Sequence, residues 1–431
     1  MCHNYNKHFF IFILFVSLGL NVYSQTSTVS NPSSTRENDP YSRYGIGEIT
    51  NSTQAGIKAM GSVSSAYSNP YSINSDNPAS YADIKFTTYE AAGVGSIRSL
   101  NAVGQNYLTG SATISYFMIG IPMGKHFGMS LGFRPQSKVY YRINDTISSL
   151  GNTLIYNYSG DGGLNYAYIG LGGKTHGFSA GFNFGYMFGT TRNSTVLQID
   201  TTESHYNTEY SRYQKVGSVY WKGGLLYEAK VKKDINLRLG ATFALSQNLN
   251  ATKENYYISY HYASDTTYQD TLSSKSTTSG TITLPFSLGL GAHLARTDKW
   301  DIGVDYTTTN WSQYKNFGEK DSLNTSSYKI AFGGEYTPNA TARNSYLQRV
   351  TYRLGVYYGL DYVRLRNTDI NYFAVTAGAG FPFKRTNDHI QTAFEYGVRG
   401  TNNNGLVKEN YFKFTLGITF NDKWFVKRRY D

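Results

Sequence analysis

A period-two alternation recurs along most of this sequence and sorts its charges onto one side, and no other feature restricts the fold as much. Phe178, Ala180, Phe182, Phe184, Tyr186 and Phe188 share one parity, while Ser179, Gly181, Asn183, Gly185 and Gly189 share the other. Successive side chains of a strand point to opposite faces, so such runs read as strands with one apolar face. The pattern returns in Leu237–Leu245, Ile282–Leu294, Val350–Leu360 and Phe412–Phe420. Charges within these and similar runs are Arg134, Arg238, Asp301, Asp305, Lys329, Glu335, Arg353, Asp361, Glu395, Arg399 and Lys413, each on the parity opposite its strand's apolar face. A soluble sandwich or barrel would turn the apolar parity inward. A membrane barrel turns it outward and keeps the charges in the lumen. Alternation alone fits both, and the parity is ambiguous in 84–97, 108–121 and 160–173.

The connections discriminate. Short ones fall at Pro122–His126, Gly173–Gly177, Lys232–Asp234, Ala295–Lys299, Pro338–Leu347 and Pro382–Asp388. Long ones fall at 98–107, 140–160, 191–213, 248–278, 312–325, 363–370 and 400–409, and the two kinds alternate strictly. That order predicts an all-β fold: a fourteen-stranded antiparallel transmembrane β-barrel over residues 84–420. Strands of about 12–18 residues exceed the ~3–10 of globular sheets. An even strand number, with short turns at one end and long loops at the other, describes an outer-membrane barrel whose short turns are periplasmic. Both chain ends are then expected on the periplasmic side. Trp221, Trp300, Tyr306 and Tyr336 are expected in interfacial girdles.

Composition agrees. Charged residues are 16% of the chain, against ~25% in ordinary soluble domains. There are 40 Tyr, 43 Gly and only 9 Pro, which excludes collagen-like and Pro-rich disordered classes. Lys7 and His8 precede the apolar run Phe9–Leu20, the length of a signal-peptide core, and Ser24 before Gln25 suits cleavage. Residues 1–24 are therefore expected to be removed, together with Cys2, the only cysteine. The expected location is the outer membrane of a Gram-negative bacterium. The net charge is +11, yet no basic block is longer than Lys427-Arg428-Arg429, so no nucleic-acid partner is expected.

Residues 25–83 lack alternation and are rich in Ser, Asn, Gly, Tyr and Ala, so they read as a disordered tail or as a plug folded inside the lumen, and their small and turn-forming residues suit the plug. Gly61 and the run Asn77-Pro78-Ala79 are its candidate plug and turn residues. The run suits a tight entry into the first strand or a latch for the plug. Candidate lumen charges are Arg238, Asp301, Asp305, Glu335, Arg353, Glu395 and Arg399. After Phe420 a tail of eleven residues remains, either solvated or docked to a periplasmic partner: Trp424 and Phe425 suit the membrane interface, and Lys427, Arg428 and Arg429 suit anionic groups.

Two stretches carry a resemblance. Ala59-Met60-Gly61-Ser62-Val63-Ser64-Ser65-Ala66, followed by Ser75-Asp76-Asn77-Pro78-Ala79-Ser80-Tyr81-Ala82, resembles the N-terminal signature of FadL-type long-chain fatty acid transport porins and their secretion-associated relatives. The resemblance implies a fourteen-stranded outer-membrane barrel with an N-terminal plug. Asp39-Pro40-Tyr41-Ser42-Arg43-Tyr44-Gly45 departs from the transport porins and looks like a divergent branch whose members serve as accessory subunits of envelope machineries.

Catalytic patterns carry little. Gly177-Phe178-Ser179-Ala180-Gly181 matches the nucleophile-elbow spacing but opens a strand, where that motif needs a strand–turn–helix. Histidines 126, 176, 205, 261, 293 and 389 show no metal-ligand spacing. Neither an enzyme nor a cofactor is expected. Outer-membrane lipid is the expected surrounding, and a small hydrophobic ligand or other envelope proteins are the candidate partners. Three roles stay open: passage of small hydrophobic molecules through a plugged lumen and a lateral opening, a non-catalytic subunit of an assembly or secretion machine, and a diffusion porin.

Overall fold

The structure is a computed structural model. It describes residues 38–424 apart from 103, 150–151, 201–205, 264–265, 269–273, 343 and 385. The expected signal segment, residues 25–37, and Phe425, Lys427, Arg428 and Arg429 lie outside the described residues.

Fourteen antiparallel strands close into a barrel. They are β1 Thr87–Ala102, β2 Gln105–Pro122, β3 Phe127–Ser149, β4 Asn152–Thr175 and β5 Phe178–Asp200. Next come β6 Asn207–Lys232, β7 in two segments, Ile235–Ala244 and Gln247–Ala263, and β8 in two segments, Ser274–Leu284 and Ser287–Arg296. The remainder are β9 Trp300–Thr309, β10 Ser327–Tyr336, β11 Thr351–Leu365, β12 Thr368–Pro382, β13 His389–Arg399 and β14 Lys408–Asp422. Closure is direct, with Lys408–Asp422 laddering against Asn101–Thr87.

The two faces settle what alternation left open. Phe178, Phe182, Phe184, Tyr186 and Phe188 point out and are exposed, as are Leu354, Phe412, Leu416 and Phe420. Inward, Arg134, Arg238, Asp301, Asp305, Arg353, Asp361, Glu395 and Arg399 are all buried. This is the inversion of a membrane barrel, since lipid solvates the apolar face and no bulk water reaches the charges.

Two expectations need correction. Most of the expected long loops are strand: β1 runs to Ala102 and β2 starts at Gln105, and β6 extends over 26 residues. Above the bilayer both faces of these strands can be polar, so their alternation disappears while the backbone ladder continues. The expected single apolar face Ile282–Leu294 is two faces. Pro285 cannot donate to a ladder, β8 breaks at Pro285–Phe286, and the phase shifts. Ile282 and Leu284 point inward and are buried, whereas Leu290 and Leu294 point outward. β7 breaks at the same level, and there Gln247 replaces the lost ladder bonds: its Oε1 accepts from Trp221 N at 3.0 Å and its Nε2 donates to Trp221 O at 2.9 Å. Of the expected girdle residues, Trp221 is paired with Phe184 of β5, and Trp300 and Tyr336 are directly paired with each other at the short-turn end.

Residues 38–86 thread the lumen with three short helical turns, Pro40–Arg43, Ala55–Lys58 and Pro78–Asp83. The described chain starts in the long-loop half of the barrel. Asn38 exchanges side-chain bonds with the backbone of Arg142, far along β3 from its short-turn end. The other described end, after Asp422, is at the short-turn side beside Thr87.

Candidate functional site

The lumen is filled by contact between plug backbone and wall backbone. A Cβ added at Gly240 would overlap the carbonyl oxygen of Ser65, at Gly333 that of Met60, at Gly181 that of Pro78, and at Gly128 that of Tyr81. Wall glycines on β7, β10, β5 and β3 therefore form the cradle in which the plug lies, and much of the high glycine content is explained there. Gly61, with φ +70, donates its N–H to Thr376 Oγ1 on β12 at 2.8 Å, and that hydroxyl donates to Ala59 O at 3.0 Å.

Asn77-Pro78-Ala79 lies against β4, β5 and β6, ten residues before the first strand, so it is not the entry turn into β1. Asn77 Oδ1 accepts from Ala79 N at 3.0 Å, and its Nδ2 bonds to Ser65 O within the plug and to Leu225 O on β6 at 3.1 Å. One side chain thus joins two plug segments to the wall. Pro78 opens the turn Pro78–Asp83, a position where its missing N–H costs nothing.

All seven candidate lumen charges are engaged. Asp305 Oδ2 accepts the backbone N–H groups of Ser64 and Ser65, each at 2.7 Å. Arg238 pairs with Asp301 and donates to Ser68 O, and His293 Nδ1 lies 2.7 Å from Asp301. Arg353 pairs with Glu335 at 2.8 Å, and the Tyr67 hydroxyl of the plug also reaches Glu335. Glu395 accepts from the Tyr357 hydroxyl at 2.8 Å, and Arg399 pairs with Asp361 on the wall and Asp39 on the plug at 2.8 and 3.1 Å.

Four partners of this network escaped the sequence reading. Arg98 on β1 pairs with Asp39, with Glu48 at 2.9 Å and with Glu409 on β14 at 3.1 Å. Arg98 and Glu409 fall in stretches that read as loop, and Asp39 and Glu48 fall in the plug, where no period sorts charges. Asp76 is also in the plug. Burial alone would raise its carboxyl, but Arg134 at 2.8 Å and Lys222 at 3.7 Å outweigh burial and hold it well below the usual carboxylate range. Lys58 has the opposite problem. Burial pushes its ammonium down to about 7, and it donates to Ser115 Oγ at 2.7 Å.

Wall and loop residues contact the plug at both ends of the lumen. At the long-loop end Trp311 is buried and stacks on Tyr362 at 4.3 Å, and Asp321 accepts from Gly45 N at 2.7 Å. At the short-turn end Lys174 bridges Asp83 of the plug and Glu228 of β6 at 2.8 and 2.7 Å.

The wall itself is interrupted. β2 and β3 pair only over Phe117–Pro122 and Gly128–Phe133. Just beyond, β2 bulges at Ser115, β3 bulges at Gln136, and Pro135 lacks a ladder donor. The plug takes over the freed edge of β3: Glu48 and Ile49 pair with Lys138 and Ser137, and Asp39 N donates to Tyr140 O at 2.8 Å. Side chains span the remaining gap, with Lys138 Nζ donating to Thr113 Oγ1 at 3.0 Å. Behind it lies a polar chamber lined by Lys58, Lys138, Lys413, Glu48 and Glu395. An apolar hollow beside the gap, lined by Phe117, Phe133, Ala167, Phe184 and Tyr186, opens on the outside of the barrel. Pro135 was the legible sign of this interruption, and parity alone did not find it.

No arrangement for catalysis appears among these residues. Ser179 of the elbow-like motif is buried inside β5 and followed by strand. Trp424 packs edge-on against Tyr89 at 5.9 Å and is partly exposed.

A family model described as BamG matches residues 6–431. No curated protein matches the sequence. Among solved structures, the chain is similar to a FadL homologue of Pseudomonas aeruginosa, with a TM-score of 0.59 at 14% identity over 88% of this chain and 99% of that one. It is also similar to the CymD monoaromatic hydrocarbon channel, with a TM-score of 0.51 at 13% identity over 87% and 99%. The Ralstonia pickettii toluene transporter TbuX gives 0.52 at 12% identity over 85% and 98%. At such identities the likeness establishes a common fold.

Proposed function

Starting from the fact that this chain belongs to the BamG family, we propose that it is a plugged, non-catalytic outer-membrane barrel that serves as a structural component of an envelope machine. Its short turns face the periplasm in this reading. The fit of plug to wall carries it: plug carbonyls lie on wall glycines, and Asp305, Arg399 and Arg98 bind the plug by buried charge-assisted bonds. Buried networks of this kind resist opening, because removing one partner strands the others without solvent. A lumen so filled also argues against an open diffusion porin.

The interruption between β2 and β3 favours a second reading, lateral passage of small hydrophobic molecules, and two of the similar structures are a monoaromatic hydrocarbon channel and a toluene transporter. Against it, lysines and glutamates supply five of the twelve residues that line the chamber behind the gap, and Ile49 and Val94 are its apolar side chains. Affinity purification of the full chain from gently solubilised membranes separates the two. Protein partners in stoichiometric amount are expected. Recovery of the barrel alone, with small hydrophobic compounds bound, would favour passage and overturn the machine reading.

A further inference from the structure

The net positive charge of the chain is not spread evenly. The six short connections hold nine Lys and Arg against three Asp and Glu, whereas the seven longer stretches at the opposite end hold eleven of each. At the short-turn end Lys125, Lys232, Lys233, Arg296, Lys299 and Lys384 are exposed. They lie in the β2–β3, β6–β7, β8–β9 and β12–β13 turns, so cations recur around the circumference. The nearby acids offset them weakly: Arg296 and Asp234, both well exposed, are 3.8 Å apart. One step toward the barrel middle lies a band of exposed aromatics, including Phe127, Tyr227, Tyr336, Tyr352 and Phe420.

We infer that this rim is a docking ring for the anionic headgroups of phospholipids in the adjacent leaflet. Aromatic side chains at the interface followed by lysines just beyond it match the order of an apolar-to-polar membrane boundary. Lysines held near an anionic leaflet gain from its negative surface potential, and the gain adds over many residues. Distribution decides between lipid and an acidic protein partner. A folded partner covers one arc of a barrel, whereas a leaflet surrounds it, and the cations lie on turns all the way round. The inference rests on the reading of the barrel as membrane-embedded and is independent of its role in a machine.

The test compares phospholipids retained by the full chain after gentle solubilisation with those of the bulk membrane, by quantitative mass spectrometry. The ring variant is K125Q/K232Q/K233Q/R296Q/K299Q/K384Q, and the control at the long-loop end is K315Q/K320Q/R364Q. Wild type and control should be enriched in anionic phospholipid roughly three- to tenfold over bulk, and the ring variant should lose the enrichment. Equal lipid composition in wild type and ring variant overturns the proposal, as does an acidic protein retained by the rim without anionic lipid. If the ring variant does not fold, wild type alone decides: enrichment must fall as salt rises from about 50 to about 500 mM, because exposed charges are screened. Enrichment indifferent to salt refutes the ring. A barrel that fractionates with membranes yet shows no enrichment removes the ring only, whereas a chain found in the soluble fraction removes the membrane reading itself.

Discussion

Asp305→Ala removes a wall carboxylate that holds the middle of the plug by two backbone amides. Asp305 is 2% exposed and accepts two backbone N–H groups, from Ser64 and Ser65. The same short stretch rests on Gly240 and receives the Asn77 amide, so it has little room to find other acceptors. A buried donor left without a partner costs about 1–3 kcal/mol, so two such donors cost about 2–5 kcal/mol once partial rearrangement is allowed. Asp305→Asn keeps the shape and a neutral acceptor. Charge-assisted bonds are about twice as strong as neutral ones, so this variant should lose about half as much. Apart from the gap between β2 and β3 the wall is closed by its own strand ladders, and the folded barrel should survive both changes as judged by heat-dependent gel mobility. Hydrogen exchange of the amides around residues 60–67 is the informative readout, because local opening reports local stability. In Asp305→Ala their exchange should accelerate roughly thirtyfold to several thousandfold, with Asp305→Asn intermediate. A folded Asp305→Ala barrel whose plug amides exchange at the wild-type rate would refute the account of how the plug is held.

Thr376→Val should loosen the plug turn at Gly61 by about 2–4 kcal/mol, because a buried N–H and a buried C=O both lose the same hydroxyl; exchange at Gly61 is the check. Lys58 gives a pH dependence. Its folded pKa of about 7 lies below its unfolded value near 10.5, so the unfolded form binds the extra proton between these limits and stability rises with pH across them. Lys58→Met should abolish that rise in urea titrations at pH 7 and pH 10. Phe184→Arg or Leu290→Arg, on the exposed outer face, should cost about 2–4 kcal/mol on folding into lipid vesicles if near the midplane. Asn183→Arg is no mild control, since Asn183 is buried and bonds Tyr81 and Ser75 of the plug; it should release the plug and leave the lipid-facing wall intact.

Much of the architecture was legible because one physical constraint, a strand with lipid on one side, writes itself as parity. Phe178–Phe188 and the eleven sorted charges carry that signal over the stretch in which lipid touches the wall. Beyond the bilayer the constraint ends, which is why Arg98 and Glu409 read as loop although both sit on neighbouring strands of the wall and pair with each other. A phase shift at Pro285 is also invisible to parity counting, since Ile282 and Leu290 share even numbers but not a face. The lumen charges were found as candidates but not their purpose. Asp305 reads as a wall acid, and nothing local says that its partners are two backbone amides some 240 residues away. Asn77 reads as part of an entry turn whereas its amide reaches Leu225 O on β6, because Asn-Pro-Ala suggests a turn without saying which wall it turns against.

Planar-bilayer recording of the purified full chain tests most directly whether this barrel is a sealed component or a conduit. The plug–wall fit predicts no steady conductance from the wild-type protein, and openings only once the plug is released, as in a folded Asp305→Ala or Asn183→Arg barrel. Stable channel openings from the wild-type chain, with the plug amides still protected, would contradict the account.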